Sequence, residues 1–102
     1  MIEYLSLWRG VIRRHPTMRE IATNILATWP MDGEPITIDD LRNPMRDRRL
    51  SWPRQAISAA CLAAGHGPAS VGRFMCRDHT TIIYGARRHN ERVAAMIEGM
   101  VA

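Results

Sequence analysis

Apolar residues recur along this chain with the spacing of an α-helix, and no segment of useful length alternates as a β-strand does. Breaks at Pro16, Pro44 and residues 65–67 separate the helical stretches. The pattern predicts an all-α protein, a compact bundle of about six helices. The predicted helices are residues 3–14, a helix after Thr17, residues 38–43, a helix after Ser51, a short helix from Pro68 and a longer last helix.

Capping residues mark where several of these helices begin. Thr17, with a glutamate three residues later, has the form of a capping box, and Thr37 precedes the short third helix. Ser51 is predicted to cap the fourth helix, because Pro53 would then lie in a first turn, where its missing backbone N–H costs nothing. Residues 45–49, MRDRR, are predicted to form a charged connector ahead of that helix.

Apolar positions at helical spacing predict which side chains form the core. The apolar positions of the last helix are Ile82, Ile83, Ala86, Val93 and Ile97. The three tryptophans are expected in the core or between helices: Trp8, Trp29 and Trp52. Gly85 costs roughly 1 kcal/mol against alanine inside a helix. It therefore predicts a close contact with the helix that carries Ile57.

Positive charge is concentrated in the C-terminal two-thirds of the chain. All 14 basic residues are arginine, as a GC-rich genome would also produce, and the net charge is +4. Residues 42–92 hold ten arginines against three acidic residues, a net of +7, whereas residues 1–41 hold four against six, a net of −2. This asymmetry favours a polyanion that docks on one part of the fold. The planar guanidinium suits phosphates and guanine edges.

Several classes of protein are not expected. No apolar run approaches the roughly 18–20 residues that a membrane span needs, and the N-terminus lacks the features of a secretory signal. Cys61 and Cys76 are too few for a disulfide framework, so a cytoplasmic protein with reduced thiols is expected. Neither paired carboxylates nor a nucleophile with its base stands out, and we therefore expect no enzyme activity.

Residues 68–90 have the proportions of a helix-turn-helix: a short helix, a tight connection near Cys76 and a longer helix. In that motif the second helix enters the major groove of DNA, and its first residues face the base edges. The segment RDHTT, residues 77–81, places five polar side chains at the start of the last helix. A role in reading DNA would explain this concentration of hydrogen-bonding groups.

At these residues the chain resembles the C-terminal DNA-binding domain of the bacterial chromosomal replication initiator DnaA. RDHTT followed by two aliphatic residues is similar to that domain's signature. WPRQAISAACLA is similar to its RPRQ helix, with Trp52 where the family usually has arginine. VGRF resembles the first helix of its helix-turn-helix, and ITIDDL the short helix that begins the domain. The similarity extends over roughly residues 20–92.

The resemblance implies double-stranded DNA as the partner, bound at a site like the initiator's box. Arg46, in the basic loop, would enter the minor groove. Asp78, His79 and Thr80 would read the major groove, with Thr81 in contact beside them. Asp accepts from the amino groups of cytosine or adenine, while His and Thr pack on thymine methyls. Contacts to the DNA backbone would come from Arg54, Gln55, Pro68, Ala69, Arg77 and Arg88.

The chain departs from the family pattern in two respects. The connection before RDHTT is one residue shorter, with Met75 and Cys76 in place of two glycines, and a residue is also missing ahead of Pro68. The GxxxxGK[ST] phosphate loop is absent, so neither ATP nor another cofactor is expected. We expect one domain over residues 1–102, with an N-terminal helical extension, residues 1–30, and a family-like core, residues 36–99.

Plainer interpretations of individual residues stay open. Asp78 could cap the last helix, alone or while also contacting a base. Arg88 and its neighbours could form a solvated face. Cys76, His79 and His89 are metal-binding residue types, but a fourth ligand is lacking and no zinc site is expected.

The leading hypothesis is sequence-specific binding of double-stranded DNA, which would regulate replication initiation or transcription in the cytoplasm, at the nucleoid. The alternative hypothesis is a protein-interaction adaptor with weak or non-specific DNA binding. In that case the acidic N-terminal helices would contact the full-length initiator or another protein.

Overall fold

The computed structural model describes residues 16–29, 35–44 and 48–101. Within these ranges the backbone forms five α-helices and no β-strand, which confirms the predicted all-α class. The helices are α1 (Met18–Thr28), α2 (Ile38–Arg42), α3 (Arg48–Ala63), α4 (Pro68–Met75) and α5 (His79–Val101). The predicted helix over residues 3–14 lies outside the described residues.

The two predicted N-caps of α1 and α2 are confirmed. The hydroxyl of Thr17 accepts a hydrogen bond from the backbone N–H of Glu20, 3.1 Å away. Thr37 and Asp40 form a reciprocal capping box, because each side chain accepts from the other residue's backbone N–H, at 2.9 and 3.2 Å. These bonds satisfy N–H groups that have no partner within the helix.

The start of α3 differs from the prediction. The helix begins at Arg48, three residues before the expected cap Ser51, so that assignment was wrong. Leu50 is only 4% exposed, and starting the helix at Arg48 carries this side chain into the core. Pro53 consequently lies buried in the helix interior, and Arg48 and Arg49 belong to the helix rather than to a connector.

Helix α3 is the centre of the bundle, since each of the other four helices packs against it. Its most extensive neighbour is α5. Burial raises the pKa of the Cys61 thiol, in the middle of this core, to about 12. The core cluster consists of Ile21, Ala22, Ile36, Leu41, Leu50, Ile57, Cys61, Val71, Met75 and Ile82.

Helix α5 is buried on one face and extends beyond its neighbour. Of the apolar positions of this helix, Ile82 and Ala86 are buried, whereas Ile83 is 39% exposed and Ile97 is 55% exposed. Ile83 lies about 100° around the helix from Ile82. Arg92 contacts Trp52, which lies near the start of α3. Ile97 lies five residues farther along α5, where α5 passes the start of α3.

The exposed end of α5 also carries Met96 and Met100, which are 64% and 84% exposed. In the described part of the chain, no helix combines the length and apolar character that crossing a membrane requires.

The predicted stop of α3 is confirmed. Gly65 adopts a φ of 99°, in the left-handed region that favours glycine. The N–H of His66 donates to the carbonyl of Cys61 at 3.0 Å, and the N–H of Gly65 donates to Leu62 at 3.0 Å. This pair of bonds is a Schellman motif, which reverses the chain toward α4.

A second Schellman motif joins α4 to α5, with cysteine in the position where glycine is usual. Cys76 has a φ of 55°, the N–H of Arg77 donates to Gly72 at 2.9 Å, and the N–H of Cys76 donates to Arg73 at 3.4 Å. The loss of the family's two glycines therefore leaves a tight left-handed turn in place. Because Cys76 has a Cβ, its left-handed conformation costs about 1–2 kcal/mol.

Two glycines allow backbones to approach closely. A Cβ on Gly72 would lie 2.6 Å from the carbonyl oxygen of Arg77, so the α4–α5 turn closes directly over this residue. A Cβ on Gly85 would lie 3.3 Å from the Cγ of Gln55 on α3. The expected close contact between Gly85 and the helix of Ile57 is thereby confirmed.

We expect Cys76→Gly to stabilise the fold by about 1 kcal/mol, because glycine adopts a φ of 55° without the Cβ strain. Chemical denaturation of the two proteins measures this difference. Cys76→Ala is the control, since alanine retains the Cβ, and it should leave the free energy of unfolding nearly unchanged. An equal gain for alanine would show that loss of the thiol, rather than relief of backbone strain, is responsible.

Candidate functional site

The first turn of α5 is capped by Asp78. Its Oδ2 accepts a hydrogen bond from the backbone N–H of Thr80 at 3.2 Å and another from the Thr80 hydroxyl. Its carbonyl accepts from the N–H of Ile82 at 3.2 Å. The hydroxyl and then the backbone N–H of Thr80 lower the pKa of the Asp78 carboxyl, which is therefore ionised at neutral pH.

The three predicted reading residues and Thr81 beside them stand at the protein surface. The side chains of Asp78 and His79 are 62% and 58% exposed, and Thr80 and Thr81 are exposed as well. His79 Nδ1 lies 3.5 Å from Asp78 Oδ1, within ion-pair range when the imidazole is protonated. A carboxylate, an imidazole and two hydroxyl side chains thus lie together on the first turn of one helix.

Arg54 and Arg77 meet at the C-terminal end of α2. Arg54 donates from Nε to the carbonyl of Leu41 at 3.0 Å and from Nη2 to Asp40 at 3.2 Å and Asn43 at 2.9 Å. Arg77 donates from Nη2 to the same Asn43 carbonyl at 2.7 Å. Sequence reasoning gave both arginines only a phosphate contact, whereas the structure also makes them caps for α2.

A third arginine ties α2 to the end of α4. Arg42 Nε donates to the carbonyl of Phe74 at 2.8 Å, and its guanidinium lies 4.9 Å from the centre of the Phe74 ring. The last carbonyls of α2 and one near the end of α4 are therefore bound by arginines from elsewhere in the fold. Cations at helix C-termini are favourable because the helix dipole is negative there.

A groove of about 590 Å³ lies between the start of α3 and the start of α5. Among the described residues that line it, none is acidic and three are arginines: Arg48, Arg54 and Arg77. The predicted site residues Gln55 and Thr81 also line it, with Tyr84 of α5 beside them. The structure thus brings four predicted residues from two separate segments into one basic groove.

Other predicted contacts lie away from this groove. Pro68, half-buried, and Ala69, exposed, form the start of α4, at the opposite end of that helix from the Cys76 turn. Arg88 is exposed on α5, with its guanidinium 6.0 Å from the centre of the Tyr84 ring. Arg46 lies outside the described residues.

Sequence reasoning missed a cluster beside the groove. Trp52 was expected in the core or between helices; it is 56% exposed and so lies outside the core, but the guanidinium of Arg92 on α5 lies 4.1 Å from its ring centre. Arg92 Nη1 also donates to Gln55 Oε1 at 2.9 Å. No local signal relates residues 37 positions apart. A periodicity plot of α5 would still have placed Arg88 and Arg92 on one helix face.

The metal-binding residue types singled out from the sequence do not form a cluster. No group of three His, Cys, Asp or Glu side chains comes together within residues 16–29, 35–44 and 48–101. His89 Nδ1 is buried without a hydrogen-bond partner in this part of the chain. Burial, with a smaller effect of Arg92, lowers the pKa of its imidazole.

Arg54→Met should lower the free energy of unfolding by about 2 kcal/mol, because it removes three charge-assisted bonds to the end of α2. Thermal or urea denaturation measures the loss. Arg48→Met is a matched control, since Arg48 lines the same groove but is exposed, and its effect should stay within about 0.5 kcal/mol. Equal stability of the two variants would contradict a capping role for Arg54.

Asp78 should also contribute to the pH dependence of stability. Its pKa is lower in the folded chain than the ordinary 3.8, so the contribution is complete above that value and is lost as the pH falls through the folded pKa. Comparing the melting temperatures of the wild type and Asp78→Asn between about pH 6 and pH 3 tests this. The wild type should lose more stability on acidification, and parallel curves would refute the contribution.

The chain was compared with known proteins. Over 79 residues, 76% of its length, it is 29% identical to the chromosomal replication initiator protein DnaA of Treponema denticola. It covers 17% of that protein. No protein-family profile matches the chain, and no solved structure is significantly similar to it. The chain therefore contains a region related to part of a replication initiator.

Proposed function

We propose that this chain binds double-stranded DNA in a sequence-specific manner, at a site like the box of the replication initiator it resembles. The observation that carries the proposal is the juxtaposition of an exposed polar first turn on α5 with an arginine-lined groove. The helix would enter the major groove, which is about 12 Å wide and admits an α-helix. In this arrangement α4 and α5 act as a helix-turn-helix.

Asp78, His79 and Thr80 would read the bases. Asp78 Oδ2 is engaged with Thr80, but a carboxylate has about four lone-pair positions, and Oδ1 can still accept from the amino group of cytosine or adenine. The Thr80 hydroxyl donates to Asp78, which holds both side chains in one arrangement before DNA arrives. Such preorganisation reduces the entropy lost on binding.

The groove would hold the DNA backbone. Arg54 and Arg77 direct their Nη2 groups at one carbonyl, so two positive charges lie close together, and Arg48 adds a third to the same groove. A phosphate placed there relieves the repulsion between them. The proposed contacts are completed by Arg46 in the minor groove and, along the site, by Gln55, Pro68, Ala69, Thr81 and Arg88.

We propose a regulatory role in replication initiation or in transcription. The similar protein is a chromosomal replication initiator, and this chain covers 17% of it. By binding the same kind of site, the chain would compete with the initiator or recruit it. The positions of bound sites, at an origin or at promoters, distinguish these outcomes.

The first test is selection of bound duplexes from a random DNA library, followed by titration of the selected and a scrambled duplex. We expect the selected duplex to bind at least about a thousandfold more tightly than the scrambled one. Affinity should fall steeply with salt, with a slope of about −0.9 for each phosphate neutralised. Equal affinity for both duplexes would refute sequence-specific binding and favour the adaptor hypothesis.

Asp78→Ser separates base reading from helix capping. Serine is also a preferred N-cap, so the melting temperature should change little, while the carboxylate that accepts from a base is lost. We expect affinity for the selected duplex to fall roughly ten- to a hundredfold and affinity for the scrambled duplex to stay the same. Calorimetry and DNA titration provide the two measurements. Equal losses on both duplexes would remove Asp78 from the reading residues.

A further inference from the structure

Trp52, Gln55 and Arg92 form a cluster at one edge of the basic groove. The Arg92 guanidinium lies 4.1 Å from the centre of the Trp52 ring, within the range of a cation–π contact. Its Nη1 donates to Gln55 Oε1 at 2.9 Å. Trp52 and Gln55 are on α3 and Arg92 is on α5, so the cluster bridges the two helices that form the groove.

The Gln55 side chain is held from two directions. Gly85 lies against the Cγ of Gln55. A Cβ added at position 85 would be 3.3 Å from that atom, so a larger residue there would displace the Gln55 side chain. Arginine can only donate hydrogen bonds, and the amide atom that faces Arg92 must therefore be the oxygen. The NH₂ group occupies the other end of the amide, which makes Gln55 a hydrogen-bond donor in the groove it lines.

Arg92 is not held by an ordinary surface ion pair. Among the described residues no carboxylate lies within 4 Å of its guanidinium, and its neighbours are a ring, an amide and the cation of Arg88. Partial burial, with a smaller effect of Arg88, lowers its pKa, but an arginine stays charged at neutral pH. Its contacts orient it toward Gln55 and do not neutralise it.

We infer that Arg92, held over the ring of Trp52, is a positioning residue that fixes the Gln55 amide to donate to a DNA phosphate. The inference rests on the proposed DNA binding and adds a role to two residues that the proposal leaves unused. Gln55 touches the phosphate, Arg92 acts through Gln55, and Trp52 acts through Arg92. The second and third steps correspond to contacts in the structure, and the first is the proposed contact with DNA.

A double-mutant cycle on DNA affinity tests this chain of contacts. Gln55→Ala should weaken binding of both the selected and the scrambled duplex about tenfold, and Arg92→Met about fivefold. The double variant should bind no more than about twofold worse than Gln55→Ala, because Arg92 has nothing left to position. Independent direct contacts would instead multiply to about fiftyfold.

The salt dependence of binding distinguishes a positioning role of Arg92 from a direct contact between Arg92 and a phosphate. Arg92→Met and Arg87→Met should show the same slope of log affinity against log salt. Loss of a direct phosphate contact would instead make the slope less steep by about 0.9. Arg87→Met is the matched control, since Arg87 is an exposed arginine on the same helix. It removes the same charge and should change affinity less than about twofold.

Substitutions of Trp52 complete the test. Trp52→Ala should reproduce the loss caused by Arg92→Met although no charge is removed, and Trp52→Phe, which keeps an aromatic face, should retain most of the affinity. All variants are compared at a temperature where thermal scans show them folded.

Multiplicative losses in the cycle, a reduced slope for Arg92→Met, or a neutral Trp52→Ala would each overturn the positioning role while leaving DNA binding intact. Failure of the wild type to bind any duplex would refute the proposed function and this inference together.

Discussion

The backbone carbonyl of Asn43 accepts hydrogen bonds from two arginines, and the relative positions of three helices depend on it. It lies just past the end of α2, where the last carbonyls of a helix lack partners and carry the negative end of its dipole. Arg54 reaches it from α3, and Arg77 reaches it from the turn before α5. The end of α2, the body of α3 and the first turn of α5 are therefore held to one another at this point.

Arginines bound to neutral partners have an electrostatic consequence. Arg42 binds a carbonyl and a ring, Arg77 binds two carbonyls, and Arg92 binds a ring and an amide. Such contacts fix the position of the guanidinium. Because the partners are neutral, they do not cancel its positive charge as the carboxylate of an ion pair would. Of these three arginines Arg77 lines the groove, together with Arg48 and Arg54, and a positive groove of this kind attracts a polyanion in a salt-sensitive way.

The turn between α4 and α5 contains a strained residue, Cys76, and positions Arg77 and Asp78. Cys76 occupies a left-handed conformation that glycine would adopt at no cost, and Gly72 must lack a side chain so that the Arg77 carbonyl can close over it. The same turn brings Arg77 back to Asn43 and leaves Asp78 free of the core to cap α5. One tight turn thus sets the direction in which the first turn of α5 faces.

By itself the sequence determined the elements whose causes are local. Helical periodicity, the Thr17 and Thr37 caps and the Gly65 stop involve residues within five positions of each other, and each was predicted correctly. The polar cluster that begins α5 was also recognised from consecutive residues. Gly85 was the exception among longer-range features, because an unfavourable residue inside a helix already implies a close neighbour.

Only the tertiary structure decided where α3 begins and what the arginines and Trp52 contact. Burial of Leu50 outweighed the local signal of Ser51 and Pro53, since the free energy of placing an aliphatic side chain in the core exceeds that of a cap. Arg77 and Arg92 bind partners 34 and 37 positions away, and Trp52 is exposed beneath a cation from another helix. The partners of long, flexible side chains depend on how the helices are arranged in space, so the spacing of residues in the sequence does not predict them.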